Sequence, residues 1–91
     1  MVTYEMASKI AYDTIQKTVF HGIGKAYDMG ECYLFVADDP DVVYYTCGTL
    51  IVSKMDGSVR WYTYKDAQEN DDNEKRKKEL NVLEEFLYKK A

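Results

Sequence analysis

The sequence predicts an α+β fold in one domain. An N-terminal helix leads into a three- to four-stranded antiparallel sheet and a C-terminal helix follows, with both helices on one sheet face. Three observations carry this. The middle third, Glu31 to Lys65, is dense in β-branched and aromatic residues and turns back on itself at Met55-Asp56-Gly57-Ser58. Residues before it and after it repeat their apolar positions at helical spacing. Finally, 91 residues suffice for one domain only, a size at which folding hides about 60–65% of the unfolded surface.

Thr3 to Phe20 reads as the first helix. Thr3 is a suitable N-cap and Glu5 complements the helix dipole. Ala7, Ile10, Ala11, Ile15 and Val19 form its apolar stripe, while Lys9, Asp13, Gln16 and Lys17 fall on the wet side. Gly22 is the expected left-handed C-cap, with Lys17 and His21 complementing the C-terminal dipole. Glu31 to Ala37 is the first clear strand. Cys32, Leu34 and Val36 alternate with Tyr33, Phe35 and Ala37, so both faces are apolar and the strand suits a central position. Part of Gly24 to Asp28 is a further edge-strand candidate.

Asp38-Asp39-Pro40-Asp41 is a turn. Val42 to Val52 and Val59 to Tyr64 then form a hairpin across the Asp-Gly turn, where Gly tolerates positive φ. With Met55, Asp56 and Gly57 as loop, Lys54 faces Ser58 and Ile51 pairs with Trp61. Gly48 marks a bulge or a bend where a helix packs closely. Gln68 to Asn73 is too polar for a core. Asp71 with Glu74 matches a capping box, so the second helix should start near Asn73, with Leu80, Leu83, Phe86 and Leu87 as its stripe. Ile15, Leu34, Leu83 and Phe86 are the expected core. One face of the sheet is then left uncovered by the helices.

The charge balance, 12 basic against 16 acidic residues for a net −4, disfavours nucleic acid and favours a basic protein partner. The first residues carry no signal-peptide pattern and no stretch is long enough for a membrane span, so a cytoplasmic location is expected. Cys32 and Cys47 lack metal or redox spacing. They read as buried thiols, and a cross-strand disulfide between them is sterically conceivable.

The motifs do not point to an enzyme. The single histidine, His21, sits at a helix end with no nucleophile signature near it. Gly22-Ile23-Gly24-Lys25 follows a helix where a phosphate loop needs a strand. Asp38, Asp39 and Asp41 lack the pattern of a calcium loop and read as a solvated turn, as do Glu69, Asp71 and Asp72. No metal or cofactor is expected. The feature that stands out is aromatic: Tyr44, Tyr45, Trp61, Tyr62 and Tyr64 lie on two neighbouring strands, and tyrosine and tryptophan are enriched in protein interfaces. The candidate partner-binding residues are Tyr44, Trp61, Tyr62 and Tyr64, with Asp38, Asp39 and Asp41 steering a basic partner.

Three segments carry a resemblance. They are Thr3-Tyr4-Glu5-Met6-Ala7 with Ile10-Ala11, then Tyr33-Leu34-Phe35, and then Gly48-Thr49-Leu50-Ile51-Val52-Ser53-Lys54-Met55-Asp56-Gly57-Ser58-Val59. Together these resemble a family of small bacterial immunity proteins that neutralise polymorphic toxins, over roughly half the chain. The resemblance implies stoichiometric inhibition of a toxin domain by binding, without catalysis or cofactor. The alternatives are a phage or mobile-element accessory protein that inhibits another host factor, or a homodimer paired through its tyrosine-rich sheet face.

Overall fold

The computed structural model describes residues 1–37, 48–63 and 78–87. Thr3 caps the only α-helix among them, α1 (Tyr4–Ile15), its hydroxyl accepting the Met6 N–H. The helix stops short of Phe20 because two threonines compete for its carbonyls. Thr14 Oγ1 donates to Ile10 O at 2.9 Å and Thr18 Oγ1 to Ile15 O at 2.6 Å. Gln16 is the C-cap, and Gly22 is absent from the glycines with positive φ. Val19 therefore leaves the stripe and is exposed.

Among the described residues, five strands form one antiparallel sheet: β1 (Ile23–Asp28), β2 (Cys32–Ala37), β3 (Thr49–Ser53), β4 (Val59–Trp61) and β5 (Lys78–Leu80). Their spatial order is β4-β3-β2-β1-β5. β2 is central, as its two apolar faces require. The segment after Gly22, expected at an edge, lies inside the sheet between β2 and β5. Gly30 takes φ +92° in the β1–β2 turn.

The expected C-terminal helix and strand count are corrected. The expected helix start near Asn73 lies outside the described residues. Lys78–Leu80 is a strand on β1, pairing Leu80 with Ala26 and Lys78 with Asp28. Leu83 is extended, Glu84–Phe86 is one 3-10 turn, and Leu87 bridges back to Ile23. The reason is tertiary. β1 has backbone groups to pair on its outer side, and a strand there still delivers Leu80 to the core that a helical stripe would have served. Leu83 and Phe86 are consequently half-buried, while Ile15 and Leu34 are buried as expected.

The sheet has two apolar faces. On one, Ala7, Ala11 and Ile15 of α1 pack on Phe35, Leu50 and Val52, all fully buried. Burial of each large side chain there stabilises by about 1.5–3 kcal/mol. Tyr4 stacks near Phe35 and Tyr33, and its hydroxyl donates to Asn81 O at 2.8 Å, tying α1 to the chain after β5. On the other face Tyr27, Met29, Leu34, Val36, Ile51 and Tyr62 form a second cluster, none more than 8% exposed. The expectation of an uncovered sheet face is thus overturned.

Candidate functional site

The β3–β4 hairpin positions Trp61 and Tyr62, two of the aromatic residues singled out above. Its register is Leu50 with Trp61, Ile51 with Arg60 and Val52 with Val59, one residue from the expected pairing of Ile51 with Trp61. The loop is Lys54 to Gly57, four residues long: Gly57 N–H donates to Ser53 O at 3.0 Å, and Ser53 N–H to Ser58 O at 2.9 Å. Gly57 does take the left-handed conformation, φ +74°. Asp56 Oδ1 accepts the Ser58 N–H at 2.9 Å, and that bond holds its carboxyl below the usual carboxylate range. The added loop residue is accommodated by this Asx turn, which a count of loop residues from Asp-Gly alone does not reveal.

The register separates Trp61 from Tyr62. Residues directly opposite share a face, so Val59 and Trp61 lie on the α1 side with Val52 and Leu50. Helix α1 packs on β2 and β3 and does not cover β4, which leaves Val59 38% and Trp61 37% exposed. Met55 at the loop tip is 81% exposed. Tyr62 points the other way and is buried with Leu34 and Ile51. Tyr44, Tyr64, Asp38, Asp39 and Asp41 lie outside the described residues, as does Cys47.

The N-terminus completes this corner. Val2 N–H donates to Lys54 O at 2.8 Å, which places Met1, 95% exposed, beside the loop. A Cβ on Gly57 would stand 3.1 Å from a Val2 methyl and 3.2 Å from the end of Ile10, so hairpin, N-terminal strap and helix meet there.

The chain matches no known protein family, no curated protein and no solved structure. What the corner does must be read from its own chemistry.

The far side of the same hairpin is different. Cys32, Ile51, Ser53, Ser58 and Arg60 are among the residues that line a hollow of about 270 Å³. Cys32 is a free, half-buried thiol whose pKa is pushed up by burial, which keeps it protonated and a poor nucleophile. No group of three or more potential metal ligands occurs among the described residues. Nor is any helix there long and apolar enough to cross a membrane.

Sequence reasoning placed Trp61 in the site but missed Met55, Val59 and Met1. Met55 had a usable signal, since a large apolar side chain in a turn has no partner within the turn. Val59 and Met1 had none, because their exposure depends on where α1 lies and on the Val2–Lys54 bond between distant segments.

Proposed function

We propose that this chain acts by binding another protein, without catalysis, as an immunity-like inhibitor that neutralises a toxin by stoichiometric contact. The observation that carries the reading is the exposure of Val59 and Trp61 on the edge strand β4 and of Met55 in the loop that leads into it. Exposed apolar groups gathered around a tryptophan are the kind of surface from which interfaces draw most of their energy. In this reading Trp61 is the anchor and the acidic residues Asp38, Asp39 and Asp41 steer a basic toxin domain. The protein works in the bacterial cytoplasm, where a thiol such as Cys32 stays reduced.

The test is capture of the partner from the native host, followed by titration calorimetry. Trp61→Ala should weaken binding by tenfold or more, about 2 kcal/mol at an anchor position. Cys32→Ser should leave it within a few-fold. Trp61→Ala binding as tightly as the parent would remove the hairpin from the interface.

A further inference from the structure

The hairpin register decides which backbone groups of β4 face outward. Tyr62 N–H donates to Thr49 O at 2.8 Å, and Ser53 N–H donates to Ser58 O at 2.9 Å. Bonded and non-bonded pairs alternate along an antiparallel ladder. Ser58, Arg60 and Tyr62 therefore turn their backbone groups toward β3, and Val59 and Trp61 turn theirs away from it. Two N–H and two C=O groups point outward from the sheet edge. Among the described residues, Arg60, Tyr62 and Thr63 hold further partners, whereas Val59 and Trp61 hold none for these groups. Both also keep over a third of their surface in solvent. Sheets ordinarily guard such an edge with charge. The other edge does so, because β5 exposes Lys78 and Glu79. On β4 a valine and a tryptophan stand at the open groups instead.

We infer that the β4 edge takes up an extended strand of the partner protein, paired antiparallel through the backbone of Val59 and Trp61. This rests on the protein-binding reading and adds how the hairpin binds. Hydrogen bonding selects the occupant's form. A strand presents its own N–H and C=O groups at a two-residue repeat of about 6.7 Å, the spacing of the open groups on β4. The side chains select its pattern. Residues directly opposite Val59 and Trp61 share their face and cover them when apolar, and the residue between them turns to the other face, beside Arg60. A second copy of this chain is a poorer occupant. Two β4 edges would meet over three residues each, far short of the roughly 1,200 Å² of a stable interface. The two-fold register that pairs Val59 with Trp61 would also set Arg60 against Arg60, like charges directly opposite. A different protein can bring the remaining area from elsewhere on its surface.

Amide exchange of the ¹⁵N-labelled protein alone tests the edge. Val59 and Trp61 should exchange fast, and Arg60 and Tyr62 slowly. Protection at Val59 and Trp61 would show an edge already paired, by the chain itself or by a second copy, and would overturn the inference. The probe for the strand is a blocked threonine-valine-threonine-valine-threonine peptide at millimolar concentration. It should shift the Val59 and Trp61 amides saturably and slow their exchange. Methylating the two valine nitrogens, which would face β4, should abolish this. Methylating the central threonine nitrogen, which would face away, should leave it within a few-fold. Val59→Pro deletes an outward N–H without deleting a bond to β3, and should weaken the peptide about fivefold or more. The methylated peptides decide the matter with the parent protein even where that variant does not fold. No shift, shifts centred elsewhere, or equal loss from both methylations would each overturn the inference. If the captured partner still weakens with Trp61→Ala while no peptide pairs, strand addition fails and the protein-binding reading stands on side chains alone. A partner indifferent to Trp61→Ala would overturn the hairpin's part in that reading itself.

Discussion

Strands β4 and β5 are the two edges of one sheet, each three residues long, yet they arise by opposite routes. β4 is tied to its neighbour through a four-residue loop with a glycine at positive φ and an Asx turn. β5 reaches β1 from about fifty residues away in sequence, as the pairing of Tyr27 with Glu79 requires. The first edge is encoded locally and stands open on its α1 side. The second is encoded by what β1 lacks, and the chain after it folds back under Tyr4 and Tyr12. Local chemistry therefore writes the exposed edge and long-range packing writes the other.

Both edges depend on the strand midway between them, so the largest effect is expected there. Phe35 on β2 is fully buried, and Phe35→Ala should cost about 3–5 kcal/mol in urea unfolding, enough to threaten the fold as a whole. Phe86 is the contrast. It is half-buried at the rim of the same core, so Phe86→Ala should cost only about 1–2 kcal/mol. Hydrogen exchange should then quicken at β5 before it does at β4. Equal costs for the two truncations would mean that the C-terminal edge belongs to the central core.

Gly57→Ala tests the other edge. Its φ of +74° disfavours any side chain, and the new Cβ would press on Val2 and Ile10. The expected loss is about 1–2 kcal/mol, read from the midpoint of thermal or urea unfolding. The accompanying rise in exchange should centre on Ser53, Ser58 and the Val2–Lys54 bond, with the β1–β5 pairs unchanged. A variant as stable as the parent would show that the strap and helix give way freely, and that the hairpin is held by its strands alone.

The same contrast explains what could be read in advance. The N-cap at Thr3, the central place of β2, the turn at Gly57 and the burial of Ile15 and Leu34 rest on residues near one another in sequence. Gly48, expected at a bulge or under a closely packed helix, instead takes φ +80° with the ring of Phe20, a residue past the end of α1, 3.0 Å from where its Cβ would be. The early stop of α1 turned on hydroxyls of Thr14 and Thr18 whose choice of carbonyl is not a pattern. Leu80, Leu83, Phe86 and Leu87 keep helical spacing, but four apolar residues at the end of a chain fit a strand and a turn as well once β1 offers an edge. Of the candidate site, Trp61 was legible from residue type. Its exposure, and the burial of Tyr62 beside it, were set by a register that moved by one residue.

The smallest effect concerns the clamp that spans the strands between the edges. Lys54, just past β3, reaches over the Tyr33 ring on β2, 4.7 Å from its centroid, and bonds Asp28 Oδ1 on β1 at 2.7 Å. The same oxygen accepts the Gly30 N–H at 2.8 Å. The Lys54 bond first, and the Gly30 bond second, hold the Asp28 carboxyl below the usual carboxylate range. A depressed carboxylate contributes stability that is present above its unfolded-state pKa of about 4 and is lost as pH falls through the lower folded value. Asp28→Asn should therefore cost about 0.5–1 kcal/mol at neutral pH, a modest figure because the pair is partly exposed to solvent. The gap between parent and variant should close as unfolding is repeated at pH values falling from about 5 toward 2, and it should narrow in molar salt at neutral pH. A gap that persists unchanged in acid would mean that Asn fails there for lack of the Gly30 bond geometry. The charge on Asp28 would then play no part in joining β1 to β3.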